Sequence, residues 1–253
     1  MFENGNRVTF VRPVDEAGRA WWLERFHARF GLTPEDMGDL ITRSVLSAKS
    51  VRYDFIDGVG QSFALRVEGR FSDEGSVWFV ERTLNLSGSV FNADEMFIPA
   101  QDAGEGIGRR LMADLIRTSA LIGVSRITLQ ARQIGRYAWL RMGFRPDAGS
   151  WGDLRRTLLT AIYRFEEELG RDLTGELARR IAHGRPETAN FLAALETEVR
   201  SPKLRDDAGR PVRVPLGKAL FLDLVGDWSG EYNLEESDME RIARAYLGEI
   251  GNG

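Results

Sequence analysis

The run SVFNADEMFI (89–98), followed by QDAGEGIGRR (Gln101–Arg110) and LMADLIRTSALIG (111–123), decides the fold. Its first part follows a Ser87-Gly88 break and predicts a strand. Past the glycines, Ile107, Leu111, Met112, Leu115, Ile116 and Ile122 recur at the helical period until Gly123 breaks it. RITLQA (126–131) then predicts a short strand, and Ile134 to Met142 a short helix with Tyr137 and Trp139, closed by Gly143-Phe144. Strand, glycine-rich loop, helix, strand and helix in this order predict an α/β fold. Glycines at such a strand-to-helix turn let backbone amides approach an anion, and the helix start adds partial positive charge. Arg109 and Arg110 add direct charge. No Gly-Lys-Ser/Thr follows, and neither Gly104 nor Gly106 starts a GxGxxG spacing, so a Walker loop and a dinucleotide fingerprint are both excluded. On spacing alone, a tight turn explains the glycines equally well.

Working back toward the start, VRYDFI from Val51, the turn signal Asp57-Gly58, QSFALRVEG, a loop through Asp73, Glu74 and Gly75, and SVWFVERTLNL (76–86) predict an antiparallel meander. Two helices precede it. Asp15 and Glu16 open one that runs through Trp21, Trp22, Phe26 and Phe30 to Gly31, and Thr33-Pro34 starts another toward Ser47. Beyond about Asp147 the pattern turns mostly helical, with Leu154, Leu158, Ile162, Phe165 and Leu169 at helical spacing. Thr174 is expected to cap a helix to His183, and Pro186 to start one reaching Val199. Ser201 to Pro215 reads as a loop, LGKALFLDLV as helix or strand, GDWSGEYNL as extended, and Glu235 to Leu247 as a closing helix. The fold class expected is α/β of the α+β type: a mixed, mainly antiparallel sheet flanked by helices, plus a mostly helical C-terminal region. The expected domains are 1–150 and 151–253.

Composition removes several chemistries. The chain has no cysteine, which excludes disulfides, thiolate zinc sites and cysteine nucleophiles. Its two histidines, His27 and His183, sit in no HExxH or EF-hand spacing, so no metal is expected. Only Lys49, Lys203 and Lys218 are available for Schiff-base chemistry. A net charge of -4 makes nucleic acid a poor partner. No apolar run of roughly 18 residues occurs, and the start lacks a signal-peptide layout, so no membrane and a cytoplasmic location are expected.

The run from Gln101 to Ala131, followed by GRYAWLRMGFRP, resembles the core of the GNAT acyltransferase superfamily over about residues 50 to 147. The resemblance implies acetyl-CoA or another acyl-CoA as co-substrate. Met96, Phe97 and Ile98 fall on the strand that binds the pantetheine arm. Gln101, Asp102, Ala103, Gly104, Glu105, Gly106, Ile107, Gly108, Arg109 and Arg110 fall on the pyrophosphate loop and helix start, with Gln101, Gly104 and Gly106 matching its motif. Gly143-Phe144 matches the terminal pair. Where that family often has a thiolate-protonating tyrosine, this chain has Trp139, whose indole is no useful acid, and Tyr137 lies two residues away. Glu105 would repel a pyrophosphate unless it points to solvent.

In acyl transfer the amine must lose a proton before it attacks the thioester, and a carboxylate on the central strands, directly or through water, is the acceptor expected here. Glu95 and Glu81 are the candidates, with Asp94 a weaker substitute, and Tyr137 completes the catalytic set. The acceptor expected is an amine of a small molecule or a protein, and a homodimer is compatible with all of this. The competing expectation is a catalytically degenerate module of the same fold that acts in protein assembly, which Trp139 favours.

Overall fold

The computed structural model describes residues 1–55, 62–70, 76–102 and 106–248, and they form a mixed α/β protein. The turn signals at Asp57-Gly58 and Asp73–Gly75 lie outside the described residues, as do Ala103, Gly104 and Glu105. The chain divides into two compact units, one built on Met1–Thr128 with Asn233–Glu235, the other on Leu129–Tyr232 with residues 236–248.

In the first unit β2 (Ala48–Phe55), β3 (Ser62–Arg70), β4 (Val77–Asn85) and β5 (Val90–Phe97) form the expected antiparallel meander. A further strand that the sequence did not announce, β1 (Val8–Phe10), pairs parallel with β2, Thr9 opposite Arg52. At three residues it is too short to show a period. The strand β6 (Arg126–Ala131) begins beside β5, where the amides of Ser125 and Arg126 both donate to the Ser89 carbonyl.

One face of this sheet is the core. Tyr53, Phe63, Val67, Trp78, Leu84 and Phe91 point there and are fully buried or nearly so. Helix α1 (Glu16–Trp22) covers it, capped by the Asp15 carboxylate, which accepts from the Gly18 amide at 2.7 Å. It continues through a π turn (Leu23–His27) and α2 (Ala28–Phe30) until Gly31, at φ 70, ends the run. Trp22 and Phe26 pack at 4.7 Å between centroids, and Trp22 meets Phe63 at 5.3 Å. Burying side chains of this size supplies roughly 1.5–3 kcal/mol each.

Helix α3 (Pro34–Leu40) starts at a capping box in which Thr33 and Asp36 satisfy each other's amides. It stops at Leu40, short of the expected Ser47, and turns carry the chain into β2. Gly38 allows α3 to lie against β2, since a Cβ there would sit 2.4 Å from Val51 Cγ2. Helix α4 (Ile107–Leu121) is clipped to the turn after α3 by buried Asp114, which accepts from the Ser44 amide at 2.7 Å and its hydroxyl at 2.5 Å.

The second unit contains α5 (Gly135–Arg141), β7 (Arg145–Pro146), α6 (Ala148–Ala161), a 3-10 turn (Ile162–Phe165), α7 (Glu166–Leu169), α8 (Arg171–His183) and α9 (Glu187–Ala193). After them come β8 (Glu198–Arg205), β9 (Pro211–Pro215), α10 (Leu216–Lys218), a π turn (Ala219–Leu224), β10 (Trp228–Asn233) and α11 (Ser237–Leu247). The expected loop at 201–215 is instead the antiparallel ribbon β8–β9, Val199 opposite Val214. Val199, Ser201 and Val214 turn inward, while the prolines occupy positions a two-stranded ribbon tolerates. Thr174 does not cap α8 but lies inside it, its hydroxyl donating to the Gly170 carbonyl at 2.9 Å. The helix expected to reach Val199 ends at Ala193. LGKALFLDLV resolves as helical, and GDWSGEYNL supplies β10, antiparallel to β7.

Candidate functional site

The decisive irregularity in the first unit is a bulge in β5. Its register against β4 runs Asn92 with Thr83 and Ala93 with Arg82, then jumps to Glu95 with Glu81 and Phe97 with Phe79, leaving Asp94 unpaired. Before the jump, Phe91 and Ala93 face the core. After it, Met96 and Ile98 turn to α4, where Ile98 Cδ1 and Met96 Sδ approach Gly108. One extra residue therefore shifts the alternation, and Asp94, Glu95 and Phe97 all come to the face opposite the core.

That face is polar. Arg66 donates to Glu81 at 2.7 Å and to Glu68 at 3.1 Å, and its guanidinium lies 3.6 Å above the Phe79 ring. Phe97, 47% exposed, stacks on Phe79 at 5.5 Å. The Asp94 carboxyl accepts from Thr83, and its pKa is raised, first by desolvation and then by the nearby Glu81 carboxylate. Thr83 and the Arg82 cation oppose that shift.

Arg82 stands on the core side of β4, only 2% exposed. Its Nη1 donates to the carbonyls of Glu81 and Glu95, both at 2.8 Å. Burial pushes its pKa down to about 10, with Asp94 acting against the shift, so it remains cationic at neutral pH. The sequence reading passed over Arg82, Arg66 and Phe79, although an arginine in the apolar phase of Trp78, Val80 and Leu84 is a readable sign of a buried charge with a local task.

After β5, the chain makes a 3-10 turn (Ala100–Asp102) in which the Asp102 amide donates to the Pro99 carbonyl at 3.0 Å. The Gln101 side chain is tethered to the Ser76 hydroxyl. The chain enters α4 at Gly106, which is left-handed with φ 75, and no side chain among the described residues caps the helix. Ile107 is buried, and the Arg110 amide closes the first turn onto the Gly106 carbonyl. The Arg109 guanidinium folds back toward Gly106, so that a Cβ there would stand 3.0 Å from Arg109 Nη2. The positive end of a 15-residue helix, entered at a position without a side chain and with the Arg109 guanidinium beside it, fits a phosphate-bearing ligand. Met96, Ile98, Gln101, Asp102, Gly106, Ile107, Gly108, Arg109 and Arg110 are thus gathered at this corner of the first unit, with Glu81, Glu95 and Phe97 on the bulged strands.

Tyr137 and Trp139 belong to the second unit. The Tyr137 hydroxyl accepts from Arg141 at 2.9 Å, and Arg141 also pairs with Glu196 at 2.8 Å. Burial raises the Tyr137 pKa, with Arg141 opposing, and keeps the phenol protonated. Trp139 packs on Phe144 with centroids 5.9 Å apart and against Gly135. Among the described residues no group of three or more His, Asp or Glu is placed to hold a metal, and no helix is long and apolar enough to cross a membrane.

No family model and no curated protein matches the chain. Among solved structures it is similar to a nourseothricin acetyltransferase. The identity is 21% and the TM-score 0.29, over 34% of this chain and 52% of that one. The chain therefore spans about half the length of that structure, an extent that assigns no family.

Proposed function

We propose that the chain is an acyltransferase of GNAT type that moves an acetyl or other acyl group from acyl-CoA to an amine of a small molecule or protein. The observation that carries this reading is the start of α4: a helix N-terminus entered through left-handed Gly106 with the Arg109 guanidinium folded toward it, following the bulged strand and a 3-10 turn. In this reading Gln101 to Arg110, including Ala103, Gly104 and Glu105, hold the pyrophosphate, and Met96, Phe97 and Ile98 run beside the pantetheine arm. The thioester supplies the activated acyl carbon.

Transfer forms a C–N bond at that carbon and breaks its C–S bond. The amine proton passes to a carboxylate on the polar face, and the departing sulfur gains a proton. Asp94, Glu95 and Glu81 are the groups proposed for the first proton. Asp94 leads by its place, unpaired in the ladder at the bulge and turned to the polar face, where desolvation raises its pKa above the ordinary aspartate value. Glu81 is already engaged by Arg66. In this reading Tyr137 is the proposed donor to sulfur, as the resemblance implies.

The test is release of free coenzyme A from acetyl-CoA with a panel of primary amines. Amine-dependent release that falls roughly 100-fold in Asp94→Asn supports the assignment. Release unchanged in Asp94→Asn, Glu95→Gln and Glu81→Gln would remove the base from this face. A second reading is favoured by Trp139: a module of this fold that has lost transfer and serves in protein assembly. It predicts no amine-dependent release with any acceptor.

A further inference from the structure

We infer that Arg82 is a positioning residue: its buried guanidinium bolts the bulge of β5 and so keeps the Asp94 and Glu95 carboxyls on the same face of the sheet. Its meaning for catalysis rests on the transferase reading, whereas the bolt is a property of the fold that can be measured without any activity.

Arg82 occupies the phase of β4 that otherwise holds Trp78, Val80 and Leu84, all buried. A guanidinium in that position loses its hydration and must be repaid by hydrogen bonds. The two carbonyls that receive Nη1 belong to Glu81 and Glu95, which are paired with each other on one side of the register shift, while Arg82 itself is paired with Ala93 on the other. A bulge disrupts the ladder where the extra residue enters, and buried carbonyls there need another donor. Arg82 supplies it to both strands through one nitrogen.

The competing register shows what is at stake. A regular β5 continuing the phase of Phe91 and Ala93 would turn Glu95 and Phe97 toward the core, and Met96 and Ile98 toward solvent. Asp94 would then be the only one of the two carboxylates on the polar face. The bulge prevents this, and Arg82, reaching both carbonyls from the core side, stabilises it from within.

The bolt also carries a charge that acts on Asp94. Among the described residues, the groups near the Asp94 carboxyl are Thr83, Glu81 and Arg82, with Glu95 beside it in sequence and Arg66 and Glu68 farther along the same network. Arg82 opposes the upward shift of Asp94. Removing the cation must therefore move Asp94 titration to higher pH, an effect that lost packing alone does not require.

The experiment uses the full chain with Arg82→Met, which keeps much of the volume, and Arg82→Lys, which keeps the charge and a donor. Amide hydrogen exchange is read across β4 and β5, and the Asp94 carboxyl carbon is titrated by NMR. In Arg82→Met, exchange at Asp94–Phe97 should accelerate roughly tenfold or more over Val90–Ala93, and Asp94 should titrate at higher pH than in the parent chain. Arg82→Lys should restore the titration and recover part of the protection.

Unchanged exchange at the bulge, acceleration spread evenly over the sheet, or an Asp94 titration unmoved in Arg82→Met would overturn the inference. If Arg82→Met does not fold, Arg82→Lys decides: acceleration confined to Asp94–Phe97 supports the bolt, and an even or absent change refutes it. Coenzyme A binding by the parent chain is measured in parallel, so failure of the transferase reading stays separate from failure of the bolt.

Discussion

The two faces of the sheet in the first unit are made by the same strands and have opposite tasks. On one, Trp22 packs on Tyr53 and Phe63 and Phe26 on Phe63, all essentially without solvent contact. On the other, Arg66 pairs with Glu81 and Glu68 and lies over the Phe79 ring, Phe97 stacks on Phe79, and Asp94 and Glu95 share the same face. The apolar face holds the fold together by area removed from water. Surface ion pairs on the polar face add little stability, which leaves its groups free to be chosen for chemistry. Arg82 links the two: it is buried with the apolar set and acts on the strand that presents the polar one.

The contrast makes measurable demands. Trp22→Ala should cost about 3–5 kcal/mol in a denaturant titration, the range for truncating a large buried aromatic. A loss below about 1 kcal/mol would mean that this face is not the main core.

Phe97→Ala should cost no more than about 1 kcal/mol, because the ring is already 47% exposed and forfeits chiefly its stack on Phe79. A cost equal to that of Trp22→Ala would erase the distinction between the faces.

The smallest effect is expected at Asp94. Its pKa is higher in the folded chain than the ordinary value, so the folded state binds the proton more tightly and loses stability as pH rises from the unfolded pKa through the folded one. Asp94→Asn keeps an oxygen acceptor for Thr83 and removes that penalty. It should melt slightly higher than the parent at pH 7 and show no such gain below about pH 3, where both forms are neutral. A lower melting temperature at pH 7 would mean that the carboxylate is stabilised by its neighbours instead.

Much of the first unit was legible because its segments are long and strongly periodic. β6 has the boundaries that RITLQA predicts, and β4, β5 and α4 lie within the runs that announced them. The bulge was legible in principle too. Phe91 and Ala93 set one apolar parity and Met96 and Ile98 the other, and such a break inside one strand marks an inserted residue. The ribbon β8–β9 was hidden because Pro202, Pro211 and Pro215 outweigh the inward positions at Val199 and Val214 in any local reading. Only two-stranded pairing, a tertiary fact, makes those prolines acceptable. At the candidate site, Gln101 and Gly106 carried a local signal, whereas the contacts of Arg66 with Phe79 and of Arg82 with Glu95 depend on cross-strand register and have none.

The most direct test is calorimetric titration of acetyl-CoA and coenzyme A into the purified chain, with Gly106→Trp as its partner measurement. The phosphate-site account predicts binding at roughly micromolar affinity or tighter. It also predicts loss of that binding in the variant, where an indole meets Arg109 and obstructs the helix start. No heat at millimolar ligand, or equal binding by parent and variant, would contradict it.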